Sequence, residues 1–225
     1  MKRNQIAVIG LKGLPAFGGA AAVGENLISH LKKDYDFNIY SVSSHTHLKT
    51  GAYKRSNQIV FSALKNNSLN TFIYYLKSLF HVLFIAKYDL VYLHHSESGF
   101  ITPLLRLKYK VVLTIHGVFF NNYDPKFNKI TNLLFKWSEK LNMKYANTII
   151  SVSQHDAKLC KDKYKRTILY IPNGVHIPNL TLGNSNEEYW VFAAARIYDI
   201  KGLHLLLEAM KKKNITLRLK VIGDL

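Results

Sequence analysis

Arg196 and Lys201 flank a short loop, and just past them Gly202 opens a helical pattern that puts Leu203, Leu206, Leu207 and Met210 on one face. Arginine supplies a planar fork of donors and lysine a compact charge, so the two beside a helix N-terminus suit a pyrophosphate. A solvated surface pair would look the same, and residue chemistry alone does not choose. A second candidate lies in GLKGLPAFGGAAAVGENL, where Gly18, Gly19 and three alanines strip bulk from a loop entering a helix. Backbone amides there can approach phosphate or sugar hydroxyls at a positive helix end. The alternative is a tight strand-to-helix turn that holds no ligand. It is not the GxGxxG dinucleotide fingerprint, because Leu11 and Lys12 separate Gly10 from Gly13.

Lys12, His94, His95, Glu97, His116 and Asp124 fall on strand ends or the loops that follow them. Such residue types include zinc ligands, but no helical H-x-x-x-H pair or cysteine ligand joins them, so no metal is expected. Hydrogen bonding to a polyhydroxylated ligand fits them better. As neighbours at a strand end, His94 and His95 are expected to point to opposite faces.

The elements that must position these groups alternate. Strands are predicted at Gln5–Ile9, Asn38–Val42, Gln58–Ser62, Leu90–His94, Val111–Ile115, Thr148–Val152 and Ile168–Ile171. Most are continuous apolar runs, as in a parallel sheet covered by helices on both faces. Helices are predicted around Val23, Leu27 and Leu31, over 70–87 and over 129–145. The fold class is therefore α/β, a Rossmann-like doubly wound parallel sheet whose ligands bind beyond the carboxyl ends of the strands. Polar, unpatterned residues 179–188 read as a linker between a first domain, 1–178, and a second piece, 189–225. That second piece reads as strand, loop, helix and strand, the first βαβ unit of an incomplete Rossmann-like domain.

Lys and Arg number 31 against 14 Asp and Glu, a formal charge of +17. The excess favours phosphates, anionic lipid surfaces or nucleic acid. No nucleic-acid-binding motif accompanies it, so nucleic acid is not an expected partner. The single cysteine, Cys160, excludes an internal disulfide framework and fits a reducing compartment. The longest apolar stretch, Phe72–Ala86, is broken by Lys77, Ser78 and His81 and is shorter than the roughly 20 residues of a membrane span. It reads as a buried helix or one lying at a membrane surface. On the helix over 129–145, Ile130, Leu133, Leu134, Trp137 and Leu141 share a face flanked by Lys129, Lys136, Lys140 and Lys144. Two readings stay open: a core-facing helix with a solvated basic edge, or a helix resting on an anionic leaflet.

Taken in order, the glycine pair Gly18–Gly19, VVLTIHG with His116 and Gly117, IISVSQHDAKL, IPNGV with Asn173 and Gly174, and ARIYDIKGLHLLLEA resemble the motifs of GT-B-fold, retaining family 4 glycosyltransferases. The resemblance covers nearly the whole chain, and its beginning is similar to the rhamnosyltransferase-like branch. It implies an acceptor-binding domain and a nucleotide-sugar-binding domain facing each other across a cleft. It further implies that Arg196, Lys201 and Gly202 hold the donor diphosphate. Gly18 and Gly19 would bring loop backbone to the phosphate and sugar, and His116 would contact the hexose near its reacting carbon. The nucleotide-sugar is then a substrate, no cofactor is required, and Arg and Lys act as the electrostatic clamp in place of a metal.

The implied partners are a nucleotide-sugar and a lipid-linked or oligosaccharide acceptor, as in cell-surface polysaccharide assembly. The implied location is cytoplasmic, peripheral on the inner face of the membrane. One departure counts against activity by this chain alone. The family places two glutamates, separated by seven residues, well downstream of the Arg/Lys loop, and here only Glu208 follows Lys201. The expectation is a truncated transferase, or one half of a split transferase completed by a separate C-terminal polypeptide that docks at the strand edge 217–222.

Overall fold

Alternation along β1 (Asn4–Lys12) sets the layout of the fold, since Ile6 and Val8 enter one apolar cluster while Ala7 and Ile9 enter another. A strand feeding two cores must be covered on both faces. The computed structural model describes residues 3–16, 18–118, 128–174, 189–197 and 199–224. They form two units, Met1–Val175 and His176–Leu225. The expected linker 179–188 lies outside the described residues, as does Asp124.

In the first unit β1 is joined by β2 (Tyr35–Val42), β3 (Gly51–Tyr53), β4 (Ser56–Phe61), β5 (Leu90–His94), β6 (Lys110–Ile115), β7 (Thr148–Ser151) and β8 (Leu169–Tyr170). Their order in the sheet is β3-β4-β2-β1-β5-β6-β7-β8, parallel throughout except for the β3–β4 hairpin. The step from β1 to β2 runs one way across the sheet and every step from β4 onward runs the other. Right-handed crossovers therefore place their helices on opposite faces. Helix α1 (Gly19–Leu31) packs Ile28 into the cluster of Ile6 and Val8. The second cluster takes Tyr74, Tyr75 and Leu79 of α2 (Asn67–Phe80), Leu105 of α3 (Thr102–Arg106), Met143 of α4 (Lys129–Tyr145) and Cys160 of α5 (Gln154–Tyr164). Burial pushes the Cys160 thiol up to about 12, so it is an inert packing residue.

Helix α2 starts where Asn66 accepts a hydrogen bond from the Leu69 amide, and it continues through a π-helical turn, His81–Ile85. Two close approaches lock the site's edge of the sheet. Gly10 has φ +111°, and a β-carbon there would lie 2.2 Å from the His94 carbonyl oxygen. A β-carbon on Gly99 would lie 1.7 Å from the Ser138 carbonyl oxygen, so the 3-10 turn Ser96–Phe100 can sit against α4 only with glycine there.

Helix α4 corrects the core-facing reading of its apolar stripe. Asn132, Ser138, Glu139 and Asn142 are the buried residues, with Met143, while Ile130, Leu133, Leu134 and Trp137 are exposed. The physical reason lies in the turn beneath. Its backbone groups need partners, and Ser138 Oγ donates to the Glu97 carbonyl at 2.8 Å while Asn142 Nδ2 donates to the Ser96 carbonyl at 2.9 Å.

The second unit pairs β9 (Tyr189–Arg196) with β10 (Arg218–Asp224) in parallel, Tyr189 opposite Arg218 and Arg196 opposite Asp224. Between them come a 3-10 turn, Asp199–Lys201, and α6 (Leu203–Lys212), as the βαβ reading expected.

Candidate functional site

Strands β1, β5 and β6 are neighbours, so residues at their carboxyl ends share one rim. Lys12 closes β1 at φ +65°, and His95 follows β5 at φ +69°. Left-handed backbone at non-glycine residues costs on the order of 1 kcal/mol or more and gathers at functional sites. Lys12 Nζ lies 2.9 Å from Glu97 Oε1, with both side chains largely buried. Burial pushes the Glu97 carboxyl up, but the Lys12 ammonium and its hydrogen bond outweigh that and hold it lowered, so the pair is ionised.

His94 and His95 do not diverge as an extended strand would make them. Their ring centroids lie 5.5 and 5.0 Å from that of His116, because the left-handed turn at His95 ends the alternation. His94 is fully buried, its Nδ1 is 3.2 Å from His116 Nε2, and its own Nε2 has no partner. The two rings share one hydrogen bond, and which nitrogen donates is set by their tautomers. Burial lowers all three imidazoles, His94 well below its ordinary value and His116 to about 4; neighbouring rings add to the effect at His94 and His116, while at His95 the Glu97 carboxylate opposes it and the Lys12 ammonium adds to it. Neutral imidazoles offer both a donor and an acceptor, which is what sugar hydroxyls require. Among the described residues, no three His, Cys, Asp or Glu side chains gather as a metal-ligand set.

The glycine loop stands beside this rim, between β1 and α1. Gln58 Oε1 accepts from the Leu14 amide at 2.8 Å, and Thr46 Oγ1 donates to the Leu14 carbonyl at 2.7 Å. Glu25, on α1, accepts from the Ala16 amide at 2.8 Å, the Tyr53 hydroxyl at 2.7 Å and Lys54 Nζ at 2.9 Å. Those hydrogen bonds overcome the upward push of burial and keep its carboxyl lowered. Gly18 caps α1 in an extended conformation without a side-chain cap, and a β-carbon on Gly19 would meet nothing within 4 Å. Packing does not require glycine at 19, so the open space there is available to a ligand.

In the second unit Arg196 ends β9, Lys201 is exposed at the end of the 3-10 turn, and Gly202 caps α6 at φ +77° without a side-chain cap. The Arg196 backbone and Lys201 thus occupy the entry to a helix N-terminus, where phosphate binds well. Sequence reasoning missed Glu25, Gln58, Ser138 and Asn142. Glu25 and Gln58 act from a helix and a strand distant in sequence from the loop they pin, and no local motif marks them.

A family model described as Glycosyltransferase Family 4 matches residues 17–177. A curated relative, the UDP-Gal:alpha-D-GlcNAc-diphosphoundecaprenol alpha-1,3-galactosyltransferase of Escherichia coli, is 28% identical over 118 residues, which cover 49% of this chain and 30% of the relative. Among solved structures, Anabaena HepE in complex with UDP and glucose superposes with TM-score 0.66 at 16% identity, covering 100% of this chain and 62% of that one. Sucrose-phosphate synthase from Thermosynechococcus elongatus gives 0.73 at 17% identity, over 98% of this chain and 62% of that one. The chain spans less than two thirds of these relatives. At such identities the solved structures establish the fold, the α/β GT-B arrangement with its mostly parallel sheet.

Proposed function

Because the chain belongs to Glycosyltransferase Family 4, we propose that it serves transfer of a sugar from a nucleotide-sugar donor to a lipid-linked or oligosaccharide acceptor in cell-surface polysaccharide assembly. The observation that carries this reading is the rim itself. Neutral His94, His95 and His116 and the ionised Lys12–Glu97 pair crowd one end of the sheet, beside the unfilled space at Gly19. That is a surface for a polyhydroxylated, phosphate-bearing molecule. The name of the E. coli relative supports both halves of the reading, since it moves galactose from UDP to an undecaprenol-linked sugar.

In this reading His116 contacts the hexose beside its reacting carbon, and the amides of the Gly18–Gly19 loop meet phosphate and sugar. Arg196 and Lys201 take the donor diphosphate with the amides behind Gly202, and stabilise the charge that grows as the carbon–oxygen bond to it breaks. Oriented cations of this kind supply transition-state stabilisation without a metal. The acceptor is met at the inner face of the membrane. Among the described residues no helix is long and apolar enough to cross it.

Calorimetry with UDP- and GDP-sugars, followed by transfer to a lipid-diphosphate-linked sugar, tests the proposal. Binding that His116→Ala weakens is the expected result. A folded chain that binds no nucleotide-sugar refutes the proposal.

A further inference from the structure

The helical layer over the second core cluster carries its apolar residues on the wrong side for a protein that meets only water. On α4 the polar residues Ser138, Glu139 and Asn142 face inward, and Ile130, Leu133, Leu134 and Trp137 are each at least half exposed. Helix α2 shows the same outward stripe. Phe72, Leu76, Phe80 and Phe84 recur every four residues through the π-helical turn and are all exposed, while Tyr74, Tyr75, Ser78 and Leu79 fill the inner face. Both helices pack their inner residues into the same core cluster, so the two stripes face away from it on one side of the sheet. Phe72 stacks on Phe100 at 5.2 Å, and the Phe100 amide donates to Ser138 Oγ on α4. Leu107, just past α3, is 84% exposed, two residues before Tyr109, whose hydroxyl donates to the Val82 carbonyl in the π-helical turn. A monomer surface rarely shows so large an apolar patch without a partner.

Charge identifies the partner. Lys77, Arg106, Lys108, Lys129, Lys140 and Lys144 are exposed on these helices or beside them. Glu139 is the sole acidic residue of α2, its π-helical turn, α3 and α4, and it is fully buried. Outward apolar rings and aliphatics ringed by cations, with no exposed acid, match an anionic lipid surface, where lysine stems lie along the acyl boundary and ammoniums reach headgroups. A protein partner would have to bring a matching acidic rim around an apolar centre. An anionic bilayer supplies that arrangement everywhere.

We propose that the outward faces of α2 and α4, with Leu107 between them, dock the chain on an anionic bilayer. Both helices begin at the carboxyl edge of the sheet, after β4 and β6, the edge that carries the rim of Lys12, His95 and His116. This rests on the reading of a lipid-linked acceptor only for its purpose. The surface itself is independent of any transfer chemistry.

Trp137 and Trp190 are the two tryptophans. In a Trp190→Phe background the single tryptophan reports on α4. Phosphatidylglycerol–phosphatidylcholine vesicles should shift its emission to the blue and carry the protein down on sedimentation, and phosphatidylcholine alone should not. Each lysine at such a surface is worth about five-fold in binding, so Lys129→Glu with Lys140→Glu and Lys144→Glu should weaken binding by about a hundred-fold. Raised salt should weaken it as well. Phe80→Ser with Phe84→Ser, on the other helix, should release the protein too, and all of these positions are exposed, so the variants keep the circular-dichroism spectrum. An unshifted Trp137 with anionic vesicles overturns the proposal, as does equal binding to neutral ones. So does a dimer in light scattering that Leu133→Asp separates, because a second copy would then be the occupant. No donor or acceptor is present in these measurements. Vesicle binding without any sugar transfer would leave this inference standing and remove the proposed activity.

Discussion

His94 Nδ1 lies 3.2 Å from His116 Nε2, with ring planes 15° apart, and His94 is wholly buried where His116 is not. His94 therefore acts through His116, as a positioning residue that fixes its ring plane. An asparagine at 94 can present an amide N–H or carbonyl oxygen where Nδ1 was, and a leucine cannot. We expect His94→Leu to lower turnover about ten-fold or more, with His94→Asn recovering most of it. Equal losses in the two variants at matched thermal stability would reduce His94 to a packing residue.

The three imidazoles also make a pH prediction. Burial first, and then neighbouring rings for His94 and His116, hold all three below the value near 6.5 that each has in an unfolded chain, His116 at about 4. Between the unfolded and folded values the unfolded chain binds more protons, so acidification favours it. Stability that is complete above about pH 7 should decline steadily as pH falls through 6 to 5. Urea midpoints across that range check this, and His116→Gln should flatten the slope. A midpoint unchanged from neutrality to about pH 5 is incompatible with neutral, buried rings.

A separate expectation concerns the second unit. If the exposed Lys201 supplies a charged hydrogen bond to diphosphate, Lys201→Ala should weaken UDP about ten-fold or more, at about 1.5–3 kcal/mol per such bond. Lys201→Arg should retain most of the affinity. Calorimetry at one ionic strength decides it, and unchanged affinity in Lys201→Ala removes the residue from the site.

Much of this was legible in the residues, for identifiable reasons. Continuous apolar runs such as Val111–Ile115 announced a buried parallel sheet, and the rule that ligands bind beyond carboxyl strand ends brought Lys12, Glu97 and His116 to one rim. The β3–β4 hairpin was not visible, because its turn puts Lys54 and Arg55 at positive φ with no glycine or asparagine to mark them. The convergence of His94 and His95 was hidden by a similar left-handed residue. Helix α4 misled in a different way. An apolar stripe normally faces the core, and here the Ser96–Phe100 turn needed polar partners that only the opposite face provides.

Gly19 gives the sharpest separation of folding from binding. A β-carbon there meets nothing within 4 Å, and its φ lies outside the left-handed region, so alanine fits the native backbone. Replacing glycine by alanine at a compatible site narrows the unfolded ensemble and stabilises by about 0.4–1 kcal/mol. Gly19→Ala should therefore raise the melting temperature slightly or leave it unchanged. The added methyl would, however, occupy the space where loop amides are proposed to approach phosphate and sugar. Donor affinity should fall by about ten-fold as close amide contacts are lost. Gly99→Ala is the control with the opposite signature, since its methyl would collide with the Ser138 carbonyl, and overpacking of that kind costs about 1–3 kcal/mol. Melting curves and nucleotide-sugar titrations on the two variants give the answer. A stable Gly19→Ala protein that binds donor as the parent does would mean that the loop is a turn and nothing more.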